Sequence, residues 1–168
     1  MEKFQELRDA SFQKIRLADH ILTQTYPLVN DPKLLLIALE NLFLALSYSM
    51  GAIVTYERLF KRIPPYQDDF NGKFETLHIH LKDKYSLDES YFRLLKEVRD
   101  ILIEHKKSPM EFKRKDSFVI CSETYRIKTL NMDKLKVYLK KSKDFINIAN
   151  NIVSKDEHIF KRESVVLV

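Results

Sequence analysis

The feature that most constrains this fold is a 21-residue apolar stretch, LLLIALENLFLALSYSMGAIV, at residues 34–54. A helix of this composition is apolar nearly all round, so other parts of the chain must cover it on several sides. It is also long enough to cross a membrane. However, Glu40 and Asn41 lie near its middle, where a charge in lipid is costly, and the helical pattern continues through TYERLFKRI. We therefore expect a buried core helix and no stable membrane insertion.

Periodic apolar positions predict four main helices, over residues 4–26, 32–63, 86–108 and 131–153. Pro27 is expected to end the first helix, and Asp31 followed by Pro32 is a typical start for the second. Ser86 and Glu89 predict a capping box at the start of the third. Residues 64–87 form a connector with room for a short helix.

The sequence DSFVICSETYRIKTLN, between the third and fourth helices, changes character. Strand-forming residues flank the polar SET, which predicts a β-hairpin near residues 117–130. The chain has only two glycines, which favours long helices over turn-rich sheets. The predicted fold class is therefore all-α, a bundle of four to five helices with a small inserted hairpin. We expect one helical domain over residues 1–168, with its core at about 4–153 and a tail at 154–168 that could add a strand or stay loose.

Charge is concentrated in one block of the chain. The net charge is +5, yet residues 106–143 contain 12 Lys/Arg and 4 Asp/Glu, a local surplus of 8. This block fits a phosphate-rich partner or an anionic surface, and a solvated lysine face is the alternative.

The single cysteine, Cys121, excludes an internal disulfide and a multi-cysteine metal site. His78 and His80 diverge by about 200° on a helix, so we expect no metal and no cofactor.

The third predicted helix raises the main functional question. Its apolar residues fill an arc of roughly 200°, wider than the roughly 100° stripe that one core needs, so a second surface, such as that of a homodimer partner, is expected to cover part of it. Arg99 and His105 fall inside this apolar arc. A buried arginine must find a carboxylate or an anionic ligand. Glu40 is a possible partner for Arg99, and His105 could instead stabilise the helix dipole.

The sequence RDILIEH, residues 99–105, resembles the motif of the HEPN domain family. That motif has an arginine, four to six residues and then a histidine, often with a polar residue directly after the arginine. Here Arg99 and His105 are separated by five residues, and Asp100 is the polar residue. HEPN domains are bundles of four or five helices with the motif near the end of a late helix. The helical resemblance extends loosely over residues 4–153, and the motif covers seven.

The resemblance implies metal-independent cleavage of RNA, in a toxin or in RNA processing or defence. His105 would be the general acid or base, Arg99 would hold the scissile phosphate, and Asp100 would orient one of the two. It also implies a homodimer with a composite cleft and, as one option, an antitoxin of the nucleotidyltransferase type. The first ten residues, MEKFQELRDA, are charged and amphipathic rather than typical of a signal peptide, so we expect a cytoplasmic location.

RNA-binding residues are expected in the basic block that follows the motif. They are Lys106, Lys107, Lys113, Arg114, Lys115, Arg126 and Lys128. Tyr125 could stack on a base or pack across the hairpin. The long central helix, the 64–87 connector and the basic hairpin depart from the simplest toxin pattern. Because the family includes non-catalytic members, the alternative function is a helical module that binds RNA, nucleotide or a partner protein.

Overall fold

The apolar stretch at residues 34–54 lies in the core of a helical bundle. The computed structural model of the protein describes residues 1–108, 110–124 and 126–156. The helices are α1 (Lys3–His20), α2 (Tyr26–Val29), α3 (Lys33–Leu59), α4 (Phe70–Thr76), α5 (Glu89–Lys107) and α6 (Met132–Val153). The π-helical segments Ile21–Thr25 and Leu77–Leu81 continue α1 and α4. The strands are β1 (Met110–Arg114), β2 (Ser117–Cys121) and β3 (Ile127–Asn131).

Helix α3 is covered by the other helices, as its composition requires. α1 and α6 pack along it, and α4 and α5 cover further parts of its surface. By length and composition α3 could cross a membrane, with a mean hydropathy of 1.6 over its most apolar window, but 61% of that window is buried. Residues such as Leu39, Leu42 and Leu46 are fully buried. α3 is therefore placed like the core helix of a soluble protein.

Several predicted helix boundaries are wrong: α3 ends at Leu59 rather than near Ile63, and at two others local contacts outweigh the simple signals. The first helix continues past Pro27 as α2 and ends at Asn30, whose left-handed backbone (φ 53°) lets its N–H donate to the Tyr26 carbonyl at 2.8 Å. The preceding π-helical segment accommodates the missing N–H of Pro27. At α5 the cap is Asp88, which accepts the Ser90 N–H at 2.8 Å, whereas Ser86 has φ 51° in the turn before the helix.

The connector contains the short helix that the sequence suggested, and a buried carboxylate fixes its far end. Glu57, near the end of α3, has a fully buried side chain. It accepts hydrogen bonds from Lys84 Nζ at 2.9 Å and from the Tyr85 hydroxyl. Arg62 lies 3.8 Å from the same carboxylate. Because a buried charge must be paired to be tolerated, Glu57 anchors the chain just before α5.

The predicted hairpin is present, but it belongs to a three-stranded antiparallel sheet in the order β1-β2-β3. Strand β1 was not predicted from the sequence. β1 and β2 join through a two-residue turn in which Lys115 has φ 48°. Phe118, Ile120 and Leu130 face the helices and are buried. The coarse prediction of a helical bundle with an inserted hairpin is therefore confirmed, with one strand added.

The sheet is tied to the bundle at the start of α3. The Asp31 carboxylate accepts the Lys33 N–H at 3.0 Å, but α3 begins at Lys33 with Pro32 in the cap position, one residue later than the sequence predicted. The same carboxylate pairs with Lys113 Nζ of β1 at 2.8 Å. The hydrogen bond from Lys113, together with that from Lys33, holds the pKa of Asp31 below its usual value.

Candidate functional site

Arg99 and His105 line one groove between α3 and α5. The groove has a volume of about 480 Å³. Its lining residues are Glu40, Phe43 and Leu44 from α3, and Arg99, Leu102, Ile103, His105 and Lys106 from α5. The two basic side chains of the motif therefore share a cleft with a mainly apolar wall, which is the arrangement that their position on the α5 arc predicted.

The Arg99 guanidinium packs on an aromatic ring. Its Cζ atom lies 4.7 Å from the ring centroid of Phe70, at the start of α4. This cation–π contact restrains the guanidinium while leaving the N–H groups at its edge available. In the part of the chain that the structure describes, Arg99 forms no ion pair, so the pairing with Glu40 considered above is not formed. A half-buried arginine without a carboxylate partner is suited to bind an anion.

His105 is held by a carboxylate that the sequence analysis did not identify. Its Nδ1 lies 2.5 Å from Glu111 Oε1, and the two side chains are 28% and 24% exposed. Because a carboxylate accepts, Nδ1 carries the proton in this pair and Nε2 is the nitrogen left for a ligand. Glu111 thus fixes both the orientation and the tautomer of the imidazole.

Strand β1 positions Glu111 beside the last turn of α5. α5 ends at Lys107, and the Ser108 hydroxyl lies within hydrogen-bonding distance of two carbonyls, those of Met110 (2.7 Å) and Cys121 (2.6 Å). This contact fastens the start of β1 to the end of β2, so the chain turns back directly after the helix. The side chain of Glu111 then meets His105, six residues earlier in the sequence.

Asp100 does not lie with the other two motif residues. It is exposed and is not among the residues that line the groove. One helical step of about 100° separates it from Arg99 and turns it toward solvent. Glu111, rather than Asp100, is the carboxylate that the structure brings to His105. No local pattern indicated Glu111, because its position depends on the pairing of β1 with β2.

The predicted RNA-binding residues have different environments. Lys106 lines the groove. The side chains of Lys107, Arg114, Lys115 and Arg126 are exposed around the sheet. Lys113 is paired with Asp31, and Lys128 lies opposite the buried Ile120 and is half-buried. Tyr125 lies outside the described residues. The cations are thus gathered at the sheet end of the bundle, and one of them, Lys106, reaches the groove.

A second histidine–glutamate pair occurs on another face of α5. His78 Nε2 lies 3.2 Å from Glu89, in a separate cavity of about 540 Å³ that Arg93 also lines. His78 packs between Phe74 and Phe92, and Glu89 is also paired with Lys82, which lowers the pKa of Glu89. This pair resembles the His105–Glu111 pair in composition. It is therefore a matched control for experiments on the groove.

Helix α5 is fixed next to the motif by a contact with α6. The Tyr138 hydroxyl donates to Glu97 Oε1 at 2.5 Å. Burial and this hydrogen bond raise the pKa of Tyr138, so the hydroxyl remains protonated. Glu97 precedes Arg99 by two residues. The contact therefore stabilises the backbone that carries Arg99 into the groove.

Comparisons with family models, with curated proteins and with solved structures give no match to this chain. Among the described residues, no group of three or more His, Cys, Asp or Glu side chains is placed to hold a metal ion.

Proposed function

We propose that this protein is a metal-independent endoribonuclease of the HEPN type. The supporting observation is that Arg99 and His105 line one groove, with His105 held by Glu111 and Arg99 in no ion pair with any described carboxylate. RNA carries its own nucleophile, the ribose 2′-OH. Its cleavage by this route therefore requires proton transfer and charge stabilisation, which imidazole and guanidinium groups provide.

His105 is the proton-transfer group in this proposal. The 2′-oxygen attacks phosphorus, the bond from phosphorus to the 5′-oxygen breaks, and a proton must reach the departing 5′-oxygen. Imidazole is suited to exchange protons at physiological pH. With Nδ1 bound to Glu111, Nε2 performs the exchange, as base toward the 2′-OH or as acid toward the leaving oxygen.

Arg99 binds the phosphate. A guanidinium presents two parallel N–H groups that match two phosphate oxygens. The contact with the Phe70 ring restricts the motion of the guanidinium, which reduces the entropy lost when the phosphate binds. The Glu111 carboxylate orients the imidazole and is a positioning residue, the role that the resemblance assigned to Asp100.

The partner proposals concern the same groove. Leu102 and Ile103 are only half-buried where they line it, so part of the apolar arc of α5 is left uncovered by the described residues. A homodimer would cover this surface, and we keep it as part of the proposal. A nucleotidyltransferase-type antitoxin and a cytoplasmic location stay predictions from the sequence, and the neighbouring gene would test the first.

The proposal is tested by RNA cleavage in the presence of EDTA. The wild-type protein is incubated with a panel of single-stranded RNAs and with 2′-deoxy analogues of the same sequences. We expect cleavage of RNA alone, with a 2′,3′-cyclic phosphate on one product and a 5′-hydroxyl on the other. Equal cleavage of the deoxy analogues would contradict the internal-nucleophile mechanism. If the panel is not cut at all, the non-catalytic module that binds RNA, nucleotide or a partner protein becomes the better explanation.

Replacement of Glu111 by glutamine is expected to reduce the cleavage rate about 10- to 100-fold. A hydrogen bond to a charged group contributes about 1.5–3 kcal/mol, which corresponds to that range of rates. The measurement is the initial rate of RNA cleavage by wild type and Glu111→Gln.

The matched control is Glu89→Gln, which changes the carboxylate of the second histidine pair. It should leave the rate within about twofold, as for most exposed substitutions. An unchanged cleavage rate for Glu111→Gln, or an equal loss in both variants, would remove Glu111 from the site.

A further inference from the structure

We propose that the outer face of the three-stranded sheet binds single-stranded RNA, with Phe112 stacking on a base and Arg114 binding a neighbouring phosphate. The proposal rests on the proposed function for the identity of the polymer. It adds a binding surface outside the groove that contains Arg99 and His105.

The register of the sheet places apolar side chains on this outer face. Met110 and Phe112 alternate with the inward-facing residues of β1, and Met110 lies in line with Cys121 and then Ile127. Met110, Phe112 and Ile127 are 60%, 42% and 64% exposed. The opposite face of the sheet packs on the helices. Val119, the cross-strand neighbour of Phe112 on this face, is buried. The sheet therefore presents a partly exposed aromatic ring on the face that also exposes Met110 and Ile127.

The charges around this outer face favour the binding of a polyanion. Arg114 lies two residues after Phe112 and thus on the same face of β1, and Lys115 and Arg126 are exposed at the two turns of the sheet. The surrounding block has the surplus of eight positive charges noted above, and one of its four acids, Glu111, is bound to His105. An aromatic surface flanked by arginines is the combination that single-stranded nucleic acids bind.

The outer face is adjacent to the groove. Glu111 and Phe112 are consecutive residues of β1, with Cα atoms about 3.8 Å apart, and their side chains point to opposite faces. Glu111 holds His105 in the groove, whereas Phe112 lies on the outer face. An RNA strand with one phosphodiester at His105 can therefore cross the edge of β1 and place a following base on Phe112.

The proposed ligand is single-stranded because stacking needs an unpaired base. An exposed ring of Phe112 can contact the face of any base, so the expected binding is tolerant of sequence. A duplex hides these faces within its own stack. The sheet should thus bind single-stranded RNA in preference to a duplex, whatever the sequence at the cleavage site.

The test is a binding measurement with RNA that cannot be cut. Fluorescence anisotropy is recorded for the full-length wild-type chain with a labelled single-stranded 2′-O-methyl RNA, and with the same strand in a duplex. We expect Phe112→Ala to weaken single-strand binding about tenfold, Phe112→Trp to retain it, and Arg114→Gln to reduce the dependence on salt. Val137→Ala is the control, since Val137 is an apolar residue on α6 that is 64% exposed.

Three results would overturn the proposal. The first is equal single-strand affinity for Phe112→Ala and wild type, and the second is equal affinity for duplex and single strand. The third is a Phe112→Ala variant that loses self-association, or binding to phosphatidylcholine–phosphatidylglycerol vesicles, while RNA binding stays intact.

The binding test is independent of the proposed nuclease activity because 2′-O-methyl RNA lacks the nucleophile. Phe112-dependent binding by a protein that fails to cut RNA would refute the nuclease proposal alone. Cleavage without Phe112-dependent binding would refute the sheet surface alone.

Discussion

Substitution of His105 by alanine is expected to reduce RNA cleavage about 10³-fold, measured with EDTA present and with the fold checked by circular dichroism. General acid–base catalysis by one side chain contributes about 10²–10⁴ in rate, and alanine removes both the proton carrier and the partner of Glu111. The carboxylate is partly exposed, at 24%, so water can solvate it once the imidazole is gone. We therefore expect loss of activity without unfolding.

His78→Ala is the matched control for this experiment. His78 is also half-buried, also contacts a glutamate and also lines a cavity that contains an arginine, Arg93. We expect it to keep the wild-type rate within about twofold. If the cleavage persisted in His105→Ala, the activity would come from a different site or from contamination. Equal losses in both variants would indicate a general effect on the fold.

Phe145→Ala is expected to destabilise the protein by about 3–5 kcal/mol, the usual cost of removing a buried phenylalanine. Phe145 is fully buried on α6, and its ring centroid lies 5.5 Å from that of Tyr91 on α5. The substitution leaves a cavity between the two helices. For a chain of this length the loss corresponds to a fall in Tm of about 6–20 °C, which differential scanning calorimetry measures.

Phe112→Ala makes the same chemical change on the outer face of the sheet, where the side chain is 42% exposed. We expect its effect on stability to stay within about 0.5 kcal/mol, as for surface sites. A large fall in Tm for Phe112→Ala would mean that the ring supports the fold rather than a ligand. A negligible fall for Phe145→Ala would contradict the packing of α6 on α5.

The helical part of the fold was predictable because its information is local. The apolar side chains of residues 34–54 could be shielded from water only by burial, and α3 is the buried helix of the bundle. Projection of α5 placed Arg99 and His105 among apolar residues, and both line the groove. Such patterns repeat every few residues, so one sequence is sufficient to detect them.

The parts of the site that were not predicted from the sequence depend on contacts between distant residues. β1 was not recognised because three of the five residues in MEFKR are charged, and its pairing with β2 decides where Glu111 points. The contact of Arg99 with Phe70 joins residues on α5 and α4. The start of α5 was missed for a local reason, because Asp88 rather than the predicted Ser86 accepts the Ser90 N–H and caps the helix.

The three-stranded sheet has an implication for solubility. In the described part of the chain β1 and β3 each pair with β2 alone, so each leaves one row of backbone hydrogen-bonding groups open. Such open rows recruit strands from other molecules and start aggregation. Both outer strands are five residues long, and they carry Lys113, Arg114 and Lys128. Their short length and like charges oppose edge-to-edge pairing and so reduce the tendency of the free protein to assemble into fibrils.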